Sequence, residues 1–394
     1  MNRSNTMGNE VSFWKKRWVR IALFFVALLV IAGGVLFWKA GSVLKKITSG
    51  NSNIFTSIAK SLPGSSNKLV GEENGRINIL LLGMRGENVP GGGLLADTIM
   101  VLSIHPKAND TDASKVSLIS IPRDLYVKVP GRDEQRKINA VFALGEEREH
   151  RKGGMDDMRT VVGEVTGLDI PYAVTINFQG FTDLVNAIGG VDVTLAQPFN
   201  ESLQFHEAQV CDPNVYTIPT KPLQYQYKYY TRTEGTRYIT AAYPLCYNHD
   251  EECGGNFALP AGQNHLDGGK ALCYARARYG SNDFERARRQ QEVIKLIKAK
   301  ALTVGTLTDF SKVNAMLDSL GNNASTNMQA WELKRLFELY QKAGDSNPNQ
   351  KVLEDSEEGL LYAPPITEQA GYTLLPRGDN YDRIHELFKN SLAY

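Results

Sequence analysis

The sequence predicts an α/β domain carried behind a single membrane-spanning helix, on three observations. An uncharged apolar run fills residues 21–38, a Ser-, Gly- and Asn-rich stretch follows it, and from residue 76 short β-rich runs alternate with segments of helical period. The 394 residues are 42% hydrophobic, enough to bury at least one full core. Forty-four Lys and Arg against forty-three Asp and Glu leave a net charge of +1. That balance excludes a whole-chain attraction to nucleic acid, so no nucleic-acid partner is expected. Any anion site must come from arginines clustered locally.

The N-terminal element is the apolar run. Eighteen helical residues rise roughly 27 Å, close to the ~30 Å hydrocarbon layer of a bilayer. Trp18 and Trp38 bracket the run as interfacial anchors, and Arg3, Lys15, Lys16, Arg17 and Arg20 crowd its N-terminal side. The positive-inside rule then puts residues 1–20 in the cytoplasm as a tail and everything after residue 38 outside it. Lys39, Lys45 and Lys46 on the other flank weaken this bias without reversing it. The run is longer than a signal-peptide core and no clear Ala-x-Ala site follows, which favours an uncleaved anchor. Residues 39–75 read as an extracytoplasmic linker.

The folded body is expected from residue 76. Strands are predicted over residues 77–82, 98–104, 116–121, 172–176 and 191–195. Between the last two, Phe181, Leu184, Val185 and Ile188 recur at helical spacing and Gly189–Gly190 supplies a stop. Residues 200–256 are Tyr-rich, without sustained period, and read as an insertion. Helices are predicted from about residue 267, over 282–301 and over 382–392, and residues 302–394 read as a C-terminal α/β extension to a catalytic domain spanning 76–301.

Three clusters carry chemistry. In "ISIPRDLYVKVPG" a strand ends in Pro122 and delivers Arg123 and Asp124 where open α/β sheets bind ligands. A surface salt bridge would read the same way. In "LLADTIMVLSI" Asp97 precedes a strand, a position that an ordinary turn residue also takes. The third cluster, "ALCYARARYGSNDFERARRQQEVIKLI", holds Arg276, Arg278, Arg286, Arg288 and Arg289. With Asn282 as N-cap, Asp283, Arg286, Gln290, Val293 and Ile297 share one helical stripe and Arg288 points away from it. A solvated basic face is the common fate of such a run, but apolar residues on the stripe argue for a shaped site. Arg276 and Arg278 could then form a guanidinium clamp for phosphate. The six histidines lack zinc-site spacing, and no Gly-x-Ser-x-Gly elbow marks a hydrolase.

These segments, with "KINAVFALG", "GFTDLVNAIGGVDV" and "LPAGQNHLDGGKALCYARAR", resemble the LytR–CpsA–Psr family in the family's order. The resemblance implies a central mixed β-sheet flanked by helices, with a long apolar pocket for a polyprenyl tail. It implies an extracytoplasmic phosphotransferase that moves a glycan from a polyprenyl-pyrophosphate carrier to a hydroxyl of peptidoglycan or another envelope acceptor. By position, Asp97 corresponds to the family's metal-binding Asp, and Arg123, Arg276, Arg278, Arg286 and Gln290 to its pyrophosphate-contacting set. Lys137 and Asp283 fall at matching positions in the catalytic centre. Phosphoryl transfer depends on positioning and charge neutralisation, so Mg2+ is the expected cofactor and Asp124 the expected base. The sequence departs from the family at "LLLGMRGENVPGGG", which lacks a usual Asp, and at Leu95, which stands in place of an Arg; Arg85 and Glu87 are the charged side chains nearby. A polyprenyl-phosphate-binding regulator and a pyrophosphatase would use much the same groups.

Four cysteines outside the cytoplasm favour disulfides. One bridge is expected among Cys211, Cys246 and Cys253, with Cys273 a small buried residue left unbridged.

Overall fold

The computed structural model describes residues 68–392 apart from 87–92, 107–114, 149–152, 202–207, 212–215, 233, 249–252, 254–256, 278–281, 302–320, 322, 330, 334, 337–338, 340–347 and 368–369. The predicted tail, membrane segment 21–38 and residues 39–67 of the linker lie outside the described residues. Among the described helices, none is long and apolar enough to cross a membrane.

The chain opens with β1 (Ile77–Met84), β2 (Thr98–His105) and β3 (Lys115–Ser120), then a small hairpin of β4 (Tyr126–Lys128) and β5 (Gln135–Lys137). Helices α1 (Val141–Arg148) and α2 (Gly154–Thr166) lead to β6 (Tyr172–Asn177), α3 (Phe178–Ala187) and β7 (Val191–Leu195). Six strands follow: β8 (Phe199–Asn200), β9 (Gln209–Val210), β10 (Tyr216–Pro219), β11 (Tyr225–Thr231), β12 (Arg237–Asn248) and β13 (Ala258–Leu259). After β14 (Gly262–Leu266) come α4 (Gly268–Arg276) and α5 (Asp283–Ala301). The chain closes with β15 (Ala324–Thr326), β16 (Asn349–Val352), β17 (Leu361–Tyr362), β18 (Leu375–Pro376) and α6 (Asp382–Asn390).

The centre is a six-stranded sheet of order β15-β6-β1-β2-β3-β16. It is mixed: β1 pairs β6 and β3 pairs β16 in parallel, while β1–β2, β2–β3 and β6–β15 are antiparallel. All five strands predicted from residue 77 to 195 are present, four of them in this sheet. Near-continuous burial along β1, with Ile77, Ile79, Leu80 and Leu82 at 1% exposure or less, marks a strand covered on both faces. Leu80, Leu82, Val101 and Ile119 face α1, α2 and α6, whose Met158, Val162, Ile384 and Phe388 complete that core. On the opposite face Ile79, Ile104 and Tyr172 meet Met328 and Leu339. Of the described residues after 301, those of β15 and β16 form the two edge strands of the sheet.

A second core joins α3, α4, α5, β7 and β14 through Val185, Val191, Leu266, Tyr274 and Val293. Glycines permit its close approaches. A Cβ at Gly268 would lie 2.1 Å from the Thr182 carbonyl, so α4 could not seat on α3 with a side chain there. Gly190, at φ +80°, ends the α3 turn in a left-handed conformation that suits glycine.

Residues 209–248 form a separate four-stranded sheet in which β12 pairs β9, β10 and β11. Cys211 bonds Cys246 within it. The second bridge corrects the expectation for Cys273, which is disulfide-bonded to Cys253. Cys253 lies against α4, so a buried cysteine on that helix meets a partner 20 residues away in sequence.

Candidate functional site

The strand ends set the site. β1, β3 and β6 all terminate at the edge of the sheet where β2 begins, because Gly83 pairs Thr98, Met100 pairs Ser120 and Met84 pairs Asn177. Loops leaving this edge carry Asp97, Arg123 and Asp124 into one place. Asn139, in the short 3-10 turn Ile138–Ala140, joins the loops: its carbonyl accepts from the Ala96 amide at 2.9 Å and its own amide donates to the Arg123 carbonyl at 3.3 Å. Helix α5 enters the same edge with Asn282 as its N-cap, accepting from the Glu285 amide at 2.9 Å.

Arg123 is the hub. Its Nη1 donates to Asp97 Oδ1 at 2.9 Å and its Nε to Asp283 Oδ2 at 3.2 Å, with Asp124 Oδ2 at 3.6 Å. Burial opposes the charge on Arg123, yet Asp97, Asp283 and Asp124 outweigh it and hold the guanidinium above its ordinary pKa. Lys137 Nζ donates to Asp124 Oδ1 at 2.8 Å. Arg286, buried on α5, lies 3.4 Å from Asp283 Oδ1. Asp97, Arg123, Asp124, Lys137, Asp283 and Arg286 thus form one alternating charge network.

Beside it, under α3, α4 and α5, opens an apolar cavity of about 300 Å³. Leu81, Val174, Ile176, Phe181, Leu184 and Ile297 contribute to its walls. Thr98, the neighbour of Asp97, also lines it, so network and cavity adjoin. Arg276 and Gln290 are polar residues of the lining. Arg276 sits over the Phe178 ring, 4.6 Å from its centroid, and Gln290 Nε2 donates to the Ala275 carbonyl at 3.2 Å. Arg278 and Glu87 lie outside the described residues. Arg288 is on the far side of α5, ion-paired with Glu285 and, at 2.6 Å, with Glu354.

Three residues that the sequence did not assign to the site also shape it. Arg289, 9% exposed, donates to the carbonyls of Tyr274 and Ala277 and stacks over Phe199, fixing the segment that leads to Arg278. Its phase with Val293 and Leu296 on α5 is the signal that marks it as inward-facing. Asn139 has no such signal. Tyr372, from the C-terminal segment, has its phenol raised to about 12, by burial first and then by Asp355, with smaller contributions from Asp124 and Asp283.

Among the described residues no group of three or more His, Cys, Asp or Glu side chains is arranged to hold a metal. The donor chemistry nonetheless fits a hard cation in part: Asp97 commits Oδ1 to Arg123 and remains 29% exposed, and Mg2+ binds through one or two carboxylates when phosphate oxygens complete its shell.

The family model described as the LytR_cpsA_psr family matches residues 42–361. A Bacillus cereus protein named polyisoprenyl-teichoic acid–peptidoglycan teichoic acid transferase TagU is 24% identical, covering 91% of this chain and 92% of its own length. The correspondingly named TagV of Bacillus subtilis is 23% identical over 94% of this chain and 78% of its own. Among solved structures, B. subtilis TagV superposes with a TM-score of 0.52 at 20% identity, covering 81% of this chain and 98% of that one. A Streptococcus agalactiae protein superposes with a TM-score of 0.55 at 21% identity, covering 83% and 92%. These superpositions establish a shared fold.

Proposed function

The chain belongs to the LytR–CpsA–Psr family, and on that premise we propose that it is a membrane-anchored phosphotransferase moving a glycan from a polyprenyl-pyrophosphate carrier to a hydroxyl of the cell envelope. The single observation that carries this reading is the adjacency of an Arg-centred charge network to an apolar cavity. A polyprenyl pyrophosphate has the same two parts, an anionic head and a hydrocarbon tail. The relatives are named for polyisoprenyl-linked teichoic acid as donor and peptidoglycan as acceptor, and we carry both classes over to this chain.

In the proposed reaction an acceptor hydroxyl forms a P–O bond to the phosphorus bearing the glycan. The P–O–P bridge breaks, polyprenyl phosphate leaves and the hydroxyl proton passes to a carboxylate, which we assign as Asp124. Arg123 and Arg286 would bind the bridging and non-bridging phosphate oxygens, and their planar forks suit several oxygens at once. Arg276 and Gln290, in the cavity lining, would fix the head at the mouth while the tail excludes water behind it. Asp283 orients both Arg123 and Arg286, and Lys137 positions Asp124. Asp97, with substrate phosphate oxygens, would hold Mg2+, which would supply further neutralisation of phosphate charge.

Residues 21–38 are proposed as the anchor, with the N-terminus cytoplasmic and the domain outside. Two disulfides support an oxidising, extracytoplasmic setting. Mass spectrometry of the purified full chain tests the donor assignment: a co-purifying polyprenyl phosphate or pyrophosphate, lost on cavity-filling Leu184→Trp, is expected. A chain that carries no such lipid and fails to take it up from micelles would refute it.

A further inference from the structure

Eight of the seventeen tyrosines lie between residues 216 and 248. Every residue of β11 is exposed, so its aromatic side chains cannot be explained by a core. Tyr225, Tyr227 and Tyr229 alternate along that strand and form a ladder, their successive ring centroids 6.3 and 6.4 Å apart. Tyr230 and Tyr238, cross-strand partners on β11 and β12, make a second ring pair at 5.3 Å. Arg237 lies over Tyr229 at 4.8 Å and Arg232 over Tyr238 at 5.4 Å.

Charge narrows what such a surface can bind. Residues 216–248 hold Lys221, Lys228, Arg232 and Arg237 against the single acid Glu234, a local excess of three positive charges in a chain whose total is +1. A hairpin that inserts in a bilayer carries its apolar residues at the tip. Here the tip, residues 232–237, reads "RTEGTR", and the rings run along the flanks. Tyrosine faces are electron-rich and meet the C–H faces of pyranose rings, while the neighbouring cations meet anionic substituents.

We propose that the β11–β12 hairpin binds an anionic glycan strand, with the tyrosine ladder stacked on its sugars and Lys228, Arg232 and Arg237 meeting its carboxylates or phosphates. The base of this sheet connects to the reaction centre: Cys253, after β12, is bonded to Cys273 on α4, the helix that ends in Arg276. That the bound strand is the acceptor rests on the transfer reaction proposed above; the binding itself does not.

The test uses the full chain in nanodiscs and, as probe, glycan strands released from peptidoglycan by amidase. Strand binding should protect residues 225–243 from hydrogen exchange. Tyr227→Ala with Tyr229→Ala should weaken it about tenfold, Tyr227→Phe should preserve it, and Lys228→Gln with Arg237→Gln should weaken it in a salt-dependent way. Retention of polyprenyl phosphate by each variant reports that the rest of the protein is folded. Binding that is indifferent to all of these substitutions would overturn the proposal. So would protection induced by anionic lipid alone, or by concentration-dependent pairing of β11 with a second copy. If strands bind through the tyrosines but no glycan is transferred, the hairpin assignment stands and the acceptor role fails.

Discussion

Three carboxylates close on Arg123, and no other single substitution should disturb the centre so much. Arg123→Lys keeps the charge but loses the fork, so transfer should fall at least about tenfold even though the protein folds. Arg276→Ala removes a charge-assisted contact worth roughly 1.5–3 kcal/mol, about ten- to a hundredfold in affinity for polyprenyl pyrophosphate. Arg288→Ala, whose partners are Glu285 and Glu354, should change that affinity little. Equal losses at Arg276 and Arg288 would mean a general basic surface. Asp97→Asn should raise the Mg2+ concentration needed for transfer while sparing lipid retention; weaker lipid retention at unchanged Mg2+ dependence would leave Asp97 as an orienter of Arg123 only. Helical phase made Asp283, Arg286, Gln290 and Val293 legible as one stripe. Asn139 was not legible, because its role lies in backbone contacts between loops distant in sequence.

Helix α5 links the network to the sheet, and Gln291 is its fastening. Its buried side-chain amide donates at 2.7 Å to Ser120 Oγ and to the Lys351 carbonyl, bridging β3 and β16. Gln291→Leu would strand these acceptors in the core, a loss of about 1–3 kcal/mol that urea denaturation should register. The five early strands could be read because each is a β-rich apolar run of ordinary length. β15 and β16 could not be placed, since a three- or four-residue edge strand carries little pattern of its own and takes its position from the partner it meets. The Cys253–Cys273 bridge was hidden for a related reason. Cys273 looks like a core residue in "KALCYARAR", and nothing in the sequence around Cys253 marks the two thiols as partners. Peptide mapping without reduction should recover this linkage, and Cys273→Ala should lower stability by about 2–4 kcal/mol.

At the scale of the molecule, a mixed sheet gathers loops from distant parts of the chain at one edge, with a charge network above it and an apolar cavity alongside. The motifs drew attention to the charged residues of this network, and an apolar pocket was expected only from the family resemblance; the separate sheet of residues 209–248 and its tyrosine ladder were not read, because exposed aromatics without a core give no burial period to read. The acceptor, and not water, is the proposed destination of the phosphoryl group. The most direct measurement supplies the full chain with lipid-linked glycan and purified sacculi, then digests the wall and analyses the fragments by mass spectrometry. Glycan joined by a phosphodiester to a wall sugar, with one polyprenyl phosphate released per bond formed, is the predicted result. Free glycan phosphate, formed at the same rate with and without sacculi, would contradict it.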